Sequence, residues 1–138
     1  MATFNKFNSF VEALAEKVHN LGSDQLKIAL CAAANAPVAT NTQLSNLTEI
    51  SYTNLSSRNV TTSASAQSSG TYKLTLADLV LTASGGAVAT FRYVVLYNDT
   101  ATNKELIGWY DYGGNVTLAD GETFTIDFDG TNGALTLA

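Results

Sequence analysis

The chain has 138 residues, enough for one domain with its own core, and an apolar share of 46% excludes a disordered tail. No run approaches 18 apolar residues, which excludes a transmembrane helix, and a net charge of −5 argues against nucleic acid as partner. Charged residues are only 14% of the chain, against about 25% in an ordinary soluble domain.

Met1 to Lys6 lead into an amphipathic stretch and not into an apolar segment of the secretory kind, so no export signal is expected. Residues 7–21 predict a helix. Phe7, Phe10, Val11, Leu14, Val18 and Leu21 fall on one helical face, Ser9 with Glu12 fits a capping box, and Gly22 suits the C′ position. That stripe has to dock on a sheet of this chain or on a partner subunit. Residues 25–31 alternate as a strand, with Leu26, Ile28 and Leu30 on one face. Pro37, the only proline, ends regular structure, and residues 42–48 fit a short helical turn.

Residues 53–70 are a low-complexity segment with Arg58 as its single charge. They read either as a mobile loop or as an extended arm or edge strand that orders on a neighbour, with residues 60–63 able to pair as a strand. Deleting 56–69 is therefore expected to leave the domain folded. From Tyr72 onward the pattern is β: 73–76, 79–82, 87–97, 105–112, 115–118, 122–128 and 134–137, punctuated by Gly85-Gly86, Ala119-Asp120-Gly121 and Gly130 to Gly133. Within 87–97, Phe91, Tyr93, Val95 and Tyr97 alternate with Val94 and Leu96, so this strand is covered on both faces. Gly108 reads as a bulge, and Phe124, Ile126 and Phe128 point inward. The expected fold is a single mainly β domain over 1–138: an antiparallel β-sandwich or jelly-roll-like barrel with one N-terminal amphipathic helix.

The chain offers little for catalysis. His19, the only histidine, reads as a solvated side chain near a helix end, and one Cys with one His cannot build a zinc site. Asp127, Asp129, Thr131 and Asn132 resemble the start of a calcium loop, but Asn132 stands where the loop needs Gly, so two hairpin turns are the better reading. Cys31 reads as a buried, inert thiol. No enzyme activity, cofactor or metal is expected. Ser, Thr and Asn make up 41 of the 138 residues, and a surface this poor in charge suits one spent on contacts with other proteins.

Three stretches, 16–30 (EKVHNLGSDQLKIAL), 91–113 (FRYVVLYNDTATNKELIGWYDYG) and 116–138 (VTLADGETFTIDFDGTNGALTLA), resemble small virion structural proteins of tailed bacteriophages. The resemblance implies a product made in the host cytoplasm that ends in the virion, with no catalytic or ligand residues to carry over. The expected function is a capsid decoration or cement protein on the outer head surface, a homotrimer whose partner is the major capsid protein, with no nucleic acid and no membrane involved. A tail or fibre-base component with an adhesive role is the alternative. The residues expected to make subunit or lattice contacts are Phe4, Phe7, Phe10, Tyr52, Arg58, Val60, Trp109, Tyr110 and Tyr112.

Overall fold

Alternating apolar residues bury themselves by pairing strands and stacking the sheets, and the computed structural model, which describes residues 2–138, shows that outcome. The strands are β1 (Phe4–Lys6), β2 (Leu26–Cys31), β3 (Asn59–Val60), β4 (Thr62–Ser68), β5 (Thr71–Leu76), β6 (Leu79–Thr82), β7 (Val88–Asn98), β8 (Leu106–Leu118), β9 (Thr123–Ile126) and β10 (Leu135–Leu137). One α-helix, α1 (Phe10–Ala15), follows β1. All pairings are antiparallel. They form a five-stranded sheet in the order β1-β8-β7-β2-β3, a three-stranded sheet β10-β5-β4 and a two-stranded sheet β6-β9. The fold is mainly β and sandwich-like. The smaller sheets stack on one face of the large one and do not close a barrel with it. The accessible surface is 6800 Å², close to the roughly 7,000 Å² that size scaling gives.

The large sheet is covered on both faces. Leu26, Ile28, Leu30, Val94 and Leu96 meet Leu74, Leu76, Leu81 and Ile126 of the smaller sheets in the main core. Ala29, Cys31, Tyr93, Val95 and Tyr97 point the other way, where Phe7, Leu44 and Leu47 cover them. Each fully buried Leu or Ile contributes about 1.5–3 kcal/mol. Phe91 departs from the expected alternation. The register slips between the Phe91↔Val116 and Tyr93↔Asp111 pairs, and Phe91 joins the main core against Phe124.

The helix is six residues long and does not run from 7 to 21. Its expected stripe splits, because Phe7 is buried on one face of the large sheet and Phe10 on the other. The chain leaves the helix at Lys17, whose φ is 68°, with Val18 N–H donating to Ala13 O and Lys17 N–H to Leu14 O. This is a Schellman cap with Lys in the place expected of Gly22. Ser9 and Glu12 make no capping box. Asp24 and Asn20 side chains then hold residues 20–24 in tight turns.

Segment 53–70 carries strands of the domain itself, and β4 within it is the edge strand of its sheet. Residues 59–60 pair with β2, and β4 forms a hairpin with β5 through Ser69-Gly70, both at positive φ as a type I′ turn requires. The expected strands 105–112 and 115–118 are one strand, β8, and β1, absent from the expected set, pairs along it. Gly108 is needed for close approach. A Cβ there would stand 2.7 Å from Asn5 O and would strike the Phe4 ring. The bulge itself lies beside it, where Leu96 pairs with Gly108 and Tyr97 with Leu106.

Candidate functional site

The nine expected contact residues are not gathered on one surface. Phe7, Phe10, Val60 and Tyr110 are buried, so they serve the cores and do not reach a neighbour through exposed side chains. Phe4 is half-buried and packs on Tyr110. Trp109 stacks on Phe7 with ring centroids 4.6 Å apart, on the face of β8 opposite Tyr110. Tyr52 and Arg58 belong to an internal knot. The Tyr52 hydroxyl donates to Glu49 Oε1 at 2.5 Å and accepts from Leu30 N–H at 3.0 Å. Arg58 lies 3.7 Å above the Tyr52 ring and donates to Ile28 O at 2.8 Å. Burial and the Glu49 hydrogen bond raise the Tyr52 pKa. Arg58 thereby anchors the start of β3 to β2.

Tyr110 and Tyr112 do come together with acidic residues. Between β8 and β9 lies an open cup of about 640 Å³ lined by Ala2, Tyr110, Asp111, Tyr112, Gly113, Thr125 and Asp127. Tyr110 is 4% exposed, its ring packed against Phe4, Tyr112 and Phe128. Asp111 is already neutralised. It takes Arg92 Nε at 2.8 Å and a second Arg92 nitrogen at 3.2 Å, and these bonds hold its pKa down. Asp127 accepts Asp129 N–H through Oδ1 at 2.8 Å and pairs with no cation among the described residues. Burial raises both tyrosine pKa values, that of Tyr112 to about 12, and the carboxylate of Asp127 adds to both shifts. The phenols therefore stay protonated in a negative field.

A second polar cluster was not expected at all. His19 is 5% exposed and Asn98 is fully buried. Asn98 Oδ1 accepts from Thr100 N–H at 3.0 Å and Ala101 N–H at 3.1 Å, which turns its Nδ2 toward Asp24 Oδ2 at 2.6 Å and His19 Nδ1 at 3.0 Å. The donor at Asn98 assigns the lone pair to His19 Nδ1 and the proton to Nε2. His19 Nε2 and Glu105 Oε2 are both buried without a partner among the described residues. Sequence spacing gave no sign of this node, because His19 and Asn98 lie 79 positions apart.

The remaining reactive groups are structural. Cys31 is buried, and burial raises its thiol pKa to about 11. Asp129 caps Asn132 N–H at 3.0 Å in a turn, and among the described residues no three His, Cys, Asp or Glu side chains group as metal ligands. No family model matches the chain, and no curated protein or solved structure shows significant similarity to it.

Proposed function

We propose that the chain is a structural, non-catalytic protein of a tailed-phage virion, a decoration or cement subunit that trimerises and binds the major capsid protein on the outer head surface. The observation that carries this reading is the scarcity of ionisable groups, 14% of residues, in a chain whose core and folded surface are those of an ordinary domain. Strand β4 supports it. Thr62–Ser68 carries no charge and no proline, and it ends its sheet with one edge unpaired. Domains that live alone guard such edges with Lys, Pro or a covering loop. The three stretches that resemble phage virion proteins point the same way.

Many weak contacts on a preformed lattice act together, so modest contacts suffice for firm attachment. The test is co-sedimentation of the purified protein with tail-free heads of the phage that encodes it. Saturable binding in a fixed ratio to the major capsid protein is expected. Absence of the protein from the head pellet, with retention on isolated tails, would replace this reading by the fibre-base one.

A further inference from the structure

We propose that His19, Asn98, Asp24 and Glu105 form an acid-triggered latch: proton uptake at His19 Nδ1 breaks its bond to Asn98 and releases residues 17–24 from the end of β7. The latch is closed while His19 is neutral. Asn98 Oδ1 is held by the amides of Thr100 and Ala101, so Asn98 Nδ2 must donate. It donates to His19 Nδ1 at 3.0 Å and to Asp24 Oδ2 at 2.6 Å. Asp24 Oδ2 in turn accepts the Asn20 amide at 2.8 Å. One fixed amide thus ties both ends of the turn 19–24 to β7. Asn98 is fully buried and His19 nearly so, and water cannot replace a lost bond there unless the turn opens.

Two features give the node a second state. In the closed one, His19 Nε2–H has no acceptor and Glu105 Oε2 no donor, both atoms buried, among the described residues. Such orphans are rare in a native fold. An imidazolium freed from Asn98 has the carboxylates of Glu105 and Asp24 for partners, so the open state gains bonds that the closed one lacks. The second feature is Lys17, just before the turn, whose φ of 68° is costly for any residue but Gly and which release of the turn lets relax. The charges facing His19 are Asp24 from the turn and Glu105 from the approach to β8. Helix α1 brings the Phe10 ring, its centroid 5.4 Å away, and at its end Lys17, which lines the same cavity as His19. Beyond Asn98, Asp99 is paired with Lys104 at 2.9 Å. Burial favours the neutral ring, and Glu105 and then Asp24 favour the charged one, so acid is needed to open the latch. Opening uncovers Leu21 of the main core and the cavity of about 610 Å³ beside it, walled by Leu14, Val18, Tyr72 and Leu137. This inference is independent of any role in a virion.

The test is NMR of the full chain between pH 7.5 and 5, reading the ring nitrogens of His19 and hydrogen exchange of the backbone amides, corrected for the intrinsic effect of pH. At pH 7.5 the ring is expected to carry its proton on Nε2 alone. Protection of the Val18, Asn20 and Asp24 amides, all hydrogen-bonded in the closed state, is expected to fall by up to about tenfold per pH unit below about pH 6.5. These amides are also expected to exchange faster than those of β7 and β8 at every pH and to be unmoved by low urea, the mark of a local opening. His19→Gln is expected to remove the pH dependence at the turn. Glu105→Gln, which leaves the Asn98 bonds in place, is expected to displace the opening to lower pH, because one of the charges that favours the imidazolium is gone. A proton on Nδ1 at pH 7.5, pH-independent protection of the turn, turn amides that share the rates and urea sensitivity of the core, an unchanged response in His19→Gln, or an opening that Glu105→Gln leaves in place or moves to higher pH would each overturn the latch.

Discussion

His19 is held neutral by its surroundings. Burial lowers its pKa below the ordinary 6.5, outweighing the opposing pull of Glu105 and Asp24. Charging it would also set an Nδ1–H against the Asn98 amide donor, and Asn98 cannot turn over without abandoning Asp24 and the amides of Thr100 and Ala101. Since the folded-state pKa is the lower one, the unfolded chain binds the proton first. Stability is therefore complete above about pH 6.5 and declines as the pH falls from there toward the folded-state value. Chemical denaturation between pH 7.5 and 5 is expected to show this decline, and His19→Gln is expected to flatten it. An equal slope in both proteins would mean that other groups carry the dependence. Lys17 makes a separate prediction. It occupies the left-handed region at a helix end that prefers Gly, so Lys17→Gly is expected to stabilise the chain by about 0.5–1 kcal/mol, measured by urea unfolding.

At the level of elements, β4 carries the sharpest consequence. Its hairpin with β5 supplies the partner strand for Leu74 and Leu76, and Val60 just before it is buried in the main core. Deletion of 56–69 therefore removes β4 and part of a core strand pair. Loss of the cooperative thermal transition is expected, against the folded domain that composition alone suggests; a deleted chain that still melts cooperatively would show the hairpin to be dispensable. The contrast shows where sequence pattern is informative. Strands such as Leu26–Cys31 and Val88–Asn98 are legible because side-chain burial drives them and burial leaves an alternating trace. Strand β4 leaves none, since Ser, Thr and Ala pair through the backbone and mostly face solvent. The helix misleads for the opposite reason. Phe7 and Phe10 have helical spacing, but a sheet lies between the cores they enter. The His19 node is illegible because positions 79 apart assemble it, and the cup because β8 and β9, although consecutive, belong to different sheets.

For the whole molecule, the cores and the surface follow different rules. The cores are conventional: two apolar layers on either side of one sheet, with the few buried polar groups mostly bonded to each other. The surface is sparse in charge, and the acids it has are largely spent on backbone amides or on Arg92 and Lys104. A domain with this exterior has weak long-range repulsion between its copies, which favours dense packing beside other proteins. The proposed trimer and the proposed lattice attachment both rest on that property. The measurement that reaches it most directly is a cryo-electron microscopy reconstruction of the phage head on which this chain is proposed to sit. The account predicts density of this sandwich, in threes, on the outside of the shell, with β4 edges against neighbouring protein. Heads bare of it, together with a monodisperse monomer at high concentration in solution, would contradict the account.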